Sequence, residues 1–222
     1  MSITDNIHTI NKELPSGVKL VAVSKFHGAD AIQEAYDAGQ RIFGESRMQE
    51  IDQKHSTLPQ DIEWHFIGHL QTNKVKYIVP YIHTIHSVDS WKLLSEIEKY
   101  ASTVKKKVCC LLEVHIAQEE SKYGLSIENC KKFLSDNLWK DCKYAYIGGL
   151  MGMATYTDDT EQIRKEFRAL KKLFDEIKKD HFANDSKFSE LSMGMSGDYR
   201  IAIEEGSTLI RIGSSIFGER EY

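Results

Sequence analysis

The sequence predicts an α/β protein: a closed (β/α)8 barrel of the TIM type with an extra N-terminal helix, formed by residues 1–222 as one domain. Two observations predict it. Short apolar runs alternate strictly with segments of helical periodicity, and the alternation repeats eight times in 222 residues. Such alternation implies parallel strands with helical crossovers, and eight short units suffice to close a barrel. A doubly wound open sheet is the runner-up.

Taken in order, residues 2–14 carry Ile3, Ile7, Ile10 and Leu14 at helical spacing behind Ser2 or Thr4. Pro15-Ser16-Gly17 is a turn, and 18–25 (V-K-L-V-A-V-S-K) reads as a buried strand. Helix 29–38 is stopped by Gly39; strand 41–44 leads into helix 45–54, and strand 64–68 into a helix over 72–78 that ends before Pro80. Strand 84–88 is followed by a helix capped by Asp89 or Ser90 and running to about Val104. Strand 108–116 precedes helix 126–136, and strand 144–153 contains Gly148-Gly149, which permits close backbone approach. Thr157 or Asp158 starts the longest helix, with Ile163, Phe167, Leu170, Phe174 and Ile177 on one stripe. Strand 190–194, helix 197–205, strand 208–213 and a short helix from Ser214 complete eight units.

A net charge of −4 and a pI of about 6.1 give no general attraction to nucleic acid or an anionic membrane. The apolar segments fall short of a bilayer span, since even 108–116 is interrupted by Glu113 and His115. Cys109, Cys110, Cys130 and Cys142 form no C-x-x-C pair, and the N-terminus shows no secretory signal, so they read as reduced thiols of a cytoplasmic protein.

Period-two alternation puts Val21, Val23 and Lys25 on one strand face. If that face lines the barrel, Lys25 stands at a strand end above an apolar approach. Desolvation disfavours an ammonium ion, which is how a lysine becomes nucleophilic toward carbonyls; a lysine that simply reaches for water is the plainer reading. Barrel enzymes commonly hold phosphate in the loops after strands seven and eight. Here those loops are Met193-Gly194-Met195-Ser196-Gly197-Asp198 and Gly213-Ser214-Ser215, small-residue turns that each open a helix and offer N–H groups and hydroxyls to an anion. Arg211 shares its face with Leu209 and Gly213 and points where Lys25 points. It needs an acceptor, which is either a structural carboxylate, with Glu45 and Glu113 as candidates, or a ligand heteroatom. A carbonyl-reactive lysine, a phosphate cup and an arginine between them suit pyridoxal 5'-phosphate, joined to Lys25 as an imine.

At these residues the sequence is similar to a known family. V-A-V-S-K, F-G-E-S-R-M-Q-E, W-H-F-I-G-H-L-Q-T-N-K, E-E-S-K-Y-G-L, G-L-M-G-M, L-S-M-G-M-S-G-D and R-I-G-S-S-I-F-G-E-R resemble the pyridoxal phosphate homeostasis proteins over about 18–220. That family has the fold of the N-terminal barrel of bacterial alanine racemase. The resemblance implies the cofactor on Lys25, Arg211 at the ring nitrogen, and Ser196, Gly213 and Ser214 at the phosphate. It places Lys122 near the ring hydroxyl and Met193, at the head of its turn, among the contacts. Ser46 departs from the pattern: many members carry asparagine there, so one ring contact is in doubt.

An arginine leaves the pyridine nitrogen neutral and the ring a weaker electron sink. Racemases with such an arginine add a tyrosine base from a further domain, and the chain ends at Tyr222 without one. The leading expectation is therefore a cofactor-binding, homeostatic protein that meets apo-enzymes transiently, as a monomer, without a reaction of its own. An amino-acid racemase or another pyridoxal phosphate enzyme, with Tyr123, Tyr156 or a partner chain supplying the missing acid, and a cofactor-free Schiff-base aldolase are the alternatives. His65 and His69 around strand three, and His83 and His86 around strand four, fit no zinc spacing. Trp64, Phe66, Phe167 and Phe174 are expected in the core.

Overall fold

In the computed structural model, eight parallel strands close a barrel in sequence order, with β1 paired to both β2 and β8. The structure describes residues 2–119 and 122–218; Glu120 and Ser121 of the E-E-S-K-Y-G-L segment, Arg220 and Tyr222 lie outside the described residues. The strands are β1 (Lys19–Val23), β2 (Ile42–Glu45), β3 (Glu63–Phe66), β4 (Ile82–Val88), β5 (Val108–His115), β6 (Ala145–Met153), β7 (Glu190–Ser192) and β8 (Leu209–Ile212). The helices are α1 (Ile3–Glu13), α2 (Ala29–Asp37), α3 (Met48–His55), α4 (Val75–Ile78), α5 (Trp91–Thr103), α6 (Ile127–Ser135), α7 (Thr160–His181), α8 (Tyr199–Glu204) and α9 (Ser214–Phe217).

The expected alternation is present, and the differences lie at element ends. Helix α3 begins at Met48 because Glu45 still pairs with Phe66 as the last residue of β2. Asp159, not Thr157 or Asp158, caps α7: its Oδ1 accepts from the N–H groups of Glu161 and Gln162. Ser90 and Ser126 cap α5 and α6. Helix α1 starts in a capping box in which Ser2 and Asp5 exchange hydrogen bonds. It packs on α2 and α9, and Asn6 Nδ2 donates to the Ile216 carbonyl at 2.9 Å. Since α9 has four residues, α1 supplies the apolar cover, through Ile7 and Ile10, that a longer final helix gives other barrels.

Strand parity separates two apolar layers. Val21, Cys109, Leu111, Met151 and Leu209 form an inner cluster. Leu20, Ala22, Phe43, Trp64, Phe66, Ile210 and Ile212 face the helices, where Phe167, Leu170 and Phe174 of α7 meet them in one core. The Gly148-Gly149 pair serves close approach: a Cβ on Gly149 would stand 1.7 Å from the Glu190 carbonyl oxygen, and one on Gly148 would stand 2.3 Å from Cys109 Sγ. Among the described residues no helix is long and apolar enough to cross a membrane.

Gly149→Ala must therefore push β6 from β7, a change we expect to lower stability by more than about 2 kcal/mol in urea unfolding or to prevent folding. Gly197→Ala, whose Cβ would meet nothing within 4 Å, is the control and should stay within about 0.5 kcal/mol of wild type.

Candidate functional site

The site lies where the C-terminal ends of β1, β7 and β8 adjoin. Val21 pairs with Arg211 and Ala22 with Ile212, so Lys25 leaves β1 beside the turn that begins at Gly213. Gly213 sits close against β1, for its Cβ would lie 3.2 Å from the Val23 carbonyl oxygen. The β7 turn joins the same corner: Ser196 Oγ accepts from the Gly213 N–H at 3.4 Å, and the Arg211 N–H donates to the Gly194 carbonyl at 3.0 Å. Gly194 has φ +96 there, a conformation that glycine adopts without penalty. Lys25, Ser196, Gly213 and Ser214 are thus gathered at one edge of the barrel mouth.

Arg211 points inward, 5 % exposed. One guanidinium nitrogen donates to Ser192 Oγ at 2.6 Å and the other to the Gly152 carbonyl at 3.2 Å. Of the two acceptors left open by the sequence, the structural carboxylate is not the one it meets: Glu45 is engaged elsewhere, and Glu113 bears on Arg211 through space without an ion pair among the described residues. Burial pulls the guanidinium down to about 10, while the charges of Asp198 and Glu113 oppose the shift, so it stays a cation at neutral pH.

Below Arg211 the polar chain continues down the barrel. Ser192 Oγ lies 3.0 Å from His86 Nδ1, and His86 Nε2 lies 2.9 Å from His65 Nδ1. Arginine only donates, so the chain is satisfied when the Ser192 hydroxyl donates its hydrogen bond to His86 Nδ1 and the His86 Nε2–H donates to His65 Nδ1. Burial holds both imidazoles neutral, His65 at about 3 and His86 well below its usual range. The histidines of strands three and four, expected to flank them, lie within β3 and β4 at residues 65, 83 and 86.

Glu113 lines the same interior, one alternation above Leu111. Burial first, and the charge of Asp89 second, raise its carboxyl to about 7 against the pull of Arg211.

Lys122 Nζ donates to the Ala154 carbonyl at 2.5 Å and pairs with Glu119 at 3.1 Å, which sets it at the end of β6. Its charge and that of Arg211 both reach Asp198, whose carboxylate accepts the Met195 N–H at 2.5 Å in the β7 turn. Ser46 follows β2 and lines a cleft of about 190 Å³ with Arg47, Phe66, His69 and Lys74. Met193 is set apart: its side chain is fully buried in the outer layer, and Ser207 Oγ donates to its carbonyl at 2.8 Å. Ser192 is missed from sequence, although strand parity alone turns it inward, opposite Leu191 and Met193; His86 is weighed there only as a metal ligand, and Asp198 is named only as the end of its turn.

The fold and this corner define a class. A sequence model of the family described as "Alanine racemase, N-terminal domain" matches residues 1–221. A pyridoxal phosphate homeostasis protein of Aquifex aeolicus is 40 % identical over 205 residues, covering 92 % of this chain and 88 % of its own. Its namesake from Helicobacter pylori is 42 % identical over 204 residues, with 91 % and 88 % covered. The structure of PipY from Synechococcus elongatus PCC7942 with PLP bound superimposes with a TM-score of 0.88 at 34 % identity, covering 98 % of this chain and 100 % of that one. The chain belongs to the pyridoxal phosphate homeostasis protein family. An alanine racemase of Clostridium difficile, 14 % identical, shares the fold with a TM-score of 0.75, and this chain spans 56 % of its length.

The raised Glu113 carboxyl makes a signed prediction. A carboxyl at about 7 in the folded chain and 4.5 unfolded binds its proton more tightly when folded. Its contribution to stability is full below 4.5 and is lost as pH rises to about 7. Measured by urea unfolding, the stability of wild type relative to Glu113→Gln should fall across that window, with a slope of at most about 1.4 kcal/mol per pH unit.

Proposed function

We propose that this protein binds pyridoxal 5'-phosphate covalently through Lys25 and serves its homeostasis by handing it to apo-enzymes, without a committed reaction of its own. The observation that carries this reading is the adjoining, at the β1–β8 seam, of the Lys25 strand end with two small-residue turns joined by the Ser196 to Gly213 contact. The names of the homeostasis relatives and the PLP in the PipY structure support it.

The residues present fit the group. When bound, the cofactor supplies an aldehyde carbon that accepts an amine, and Lys25 is the amine at the seam. Gly197 faces open space, and no side chain stands on Gly213 between the β8 turn and β1. The first N–H groups of α9 have no acceptor within the helix, which leaves the Ser214 and Ser215 amides, with Ser196 Oγ, to hold phosphate oxygens. Arg211 keeps guanidinium hydrogens beyond those bound to Ser192 and Gly152, so it presents a donor to the pyridine nitrogen. The neutral histidine chain behind it supplies no cation or acid that would protonate that nitrogen. Lys122 at the end of β6 and Ser46 after β2 would stand nearest the ring hydroxyl, whereas Met193, its N–H bonded to the Leu209 carbonyl and its carbonyl to Ser207, shapes the turn.

Two features favour carriage over turnover. Arg211 makes the ring a weak electron sink. Tyr156 is 97 % exposed and so is not held as an opposite-face base, and Tyr123 is more than half exposed and stacks on His69. Lys25 leaves as the free amine when a competing amine takes its place on the cofactor carbon, and the cofactor departs. The closed barrel needs no second chain to complete its core, consistent with a monomer. All four cysteines are unpaired, consistent with a reducing cytoplasm.

Borohydride reduction of the loaded protein followed by peptide mapping should place the adduct on Lys25; a reproducible adduct on Lys74 or Lys122 instead would overturn the assignment. Incubation with each common L-amino acid should show cofactor transfer to an apo-enzyme and no multiple turnovers. Turnover abolished by Lys25→Ala would establish an enzyme, a racemase if chirality is what changes.

Ser196→Ala removes one hydroxyl while the amides remain. Affinity for pyridoxal 5'-phosphate should then fall by roughly 10- to 150-fold at most, the equivalent of about 1.5 to 3 kcal/mol. Pyridoxal lacking the phosphate should bind wild type far more weakly than the phosphate binds either protein; equal affinities in a titration would remove the cup from the site.

A further inference from the structure

The carboxylate that does not pair with Arg211 belongs to a buried cluster around the backbone of Lys25. Ser24, the residue before Lys25, is held twice: its hydroxyl donates to Glu45 Oε1 at 2.6 Å, and its carbonyl accepts from Lys54 Nζ at 3.0 Å. Phe26, the residue after it, donates its N–H to Glu50 Oε2 at 2.8 Å. Lys54 ties the two carboxylates together, 2.7 Å from Glu45 and 2.9 Å from Glu50. An ammonium has three hydrogens, and here Ser24, Glu45 and Glu50 accept all of them.

Three features separate this cluster from an ordinary stabilising ion pair. First, Phe26 has φ +70, a conformation that a non-glycine residue keeps only where its surroundings hold it; the Glu50 bond and the Arg47 guanidinium, 4.7 Å from the ring centroid, are part of that hold. Second, Glu45 Oε2 and Glu50 Oε1 are buried without hydrogen-bond partners, a penalty that an apolar packing of the same volume would avoid. Third, an apolar filling would pack α3 against β1 and β2 but would not fix two peptide groups on either side of one residue.

We propose that Lys54, with Glu50 and Glu45, is a positioning device for Lys25. The cluster sets the direction in which the Lys25 side chain leaves β1, so that its amine meets the cofactor carbon while the phosphate rests in the cup. Lys54 touches neither cofactor nor substrate and acts through the backbone. The proposal rests on the reading that Lys25 carries the cofactor.

The test compares Lys54→Met, Lys54→Arg and Glu50→Gln with wild type. In the protein without cofactor, amide hydrogen exchange at Phe26 reads the clamp directly. In the loaded protein, the rate at which a small competing amine, hydroxylamine, discharges the cofactor reads its consequence. Lys54→Met should raise both by at least about tenfold, the equivalent of about 1.4 kcal/mol, while the thermal midpoint and far-ultraviolet spectrum report the fold. Lys54→Arg, which keeps charged donors, should recover part of each. Glu50 is partly exposed, so Glu50→Gln covers the case in which Lys54→Met does not fold, and it should raise both rates several-fold. Unchanged exchange and discharge in a folded variant overturn the positioning role alone. An adduct on another lysine in wild type overturns the Lys25 reading and this proposal with it.

Discussion

Closure of β1 against β8 is the constraint on which the remainder depends. Lys19 to Ala22 lie against Leu209 to Ile212 in unbroken register. That register alone puts a strand-end lysine from near the start of the chain beside a glycine-serine turn from near its end. A slip of one residue would reverse every side chain on β8, taking Arg211 out of the barrel and Leu209 out of the inner cluster. The site is therefore a property of the closed sheet rather than of either segment.

The interior is divided by chemistry. It holds the five apolar side chains of the inner cluster and, beside them, the buried polar set Glu113, Arg211, Ser192, His86 and His65. A guanidinium deep in a barrel is tolerable only when its hydrogens are accepted and its charge has a counterweight. Ser192 and the Gly152 carbonyl meet the first condition for two of the hydrogens, and the charges of Asp198 and Glu113 meet the second without an ion pair among the described residues. Glu45, on the outer face of β2, is spared for α3. Two buried networks thus stand on opposite sides of the same sheet, one inside at Arg211 and one outside beside Lys25.

What the sequence made legible follows the range of the forces involved. Alternating apolar runs and helical stripes are local, so eight units, their order and the inward face of β1 and β8 could be read directly. Helix α3 was placed three residues early because Glu, Arg, Met and Gln are helix formers, whereas the strand pairing of Glu45 with Phe66 is a long-range fact. The cap of α7 was ambiguous among neighbouring Thr and Asp residues that all suit the role. Strand parity turns Arg211 inward but cannot name what it meets across the barrel. The contact between His65 and His86 depends on the register of β3 on β4, which shifts between Trp64 and His65. Glu50 and Lys54, four apart, could have been paired from spacing on a helix, yet nothing local says that they reach the backbone on either side of Lys25.

The seam also governs the order of events during synthesis. Strands β1 and β8 are separated by nearly the whole chain, and contacts of such sequence separation form late because loop closure must precede them. A nascent chain that has exposed Lys25 but not yet Gly213 lacks one side of the corner, and β1 meanwhile shows an open edge. Lys25 and Gly213 are thereby brought together only when the last strand has docked, so this corner exists only in the completely folded molecule.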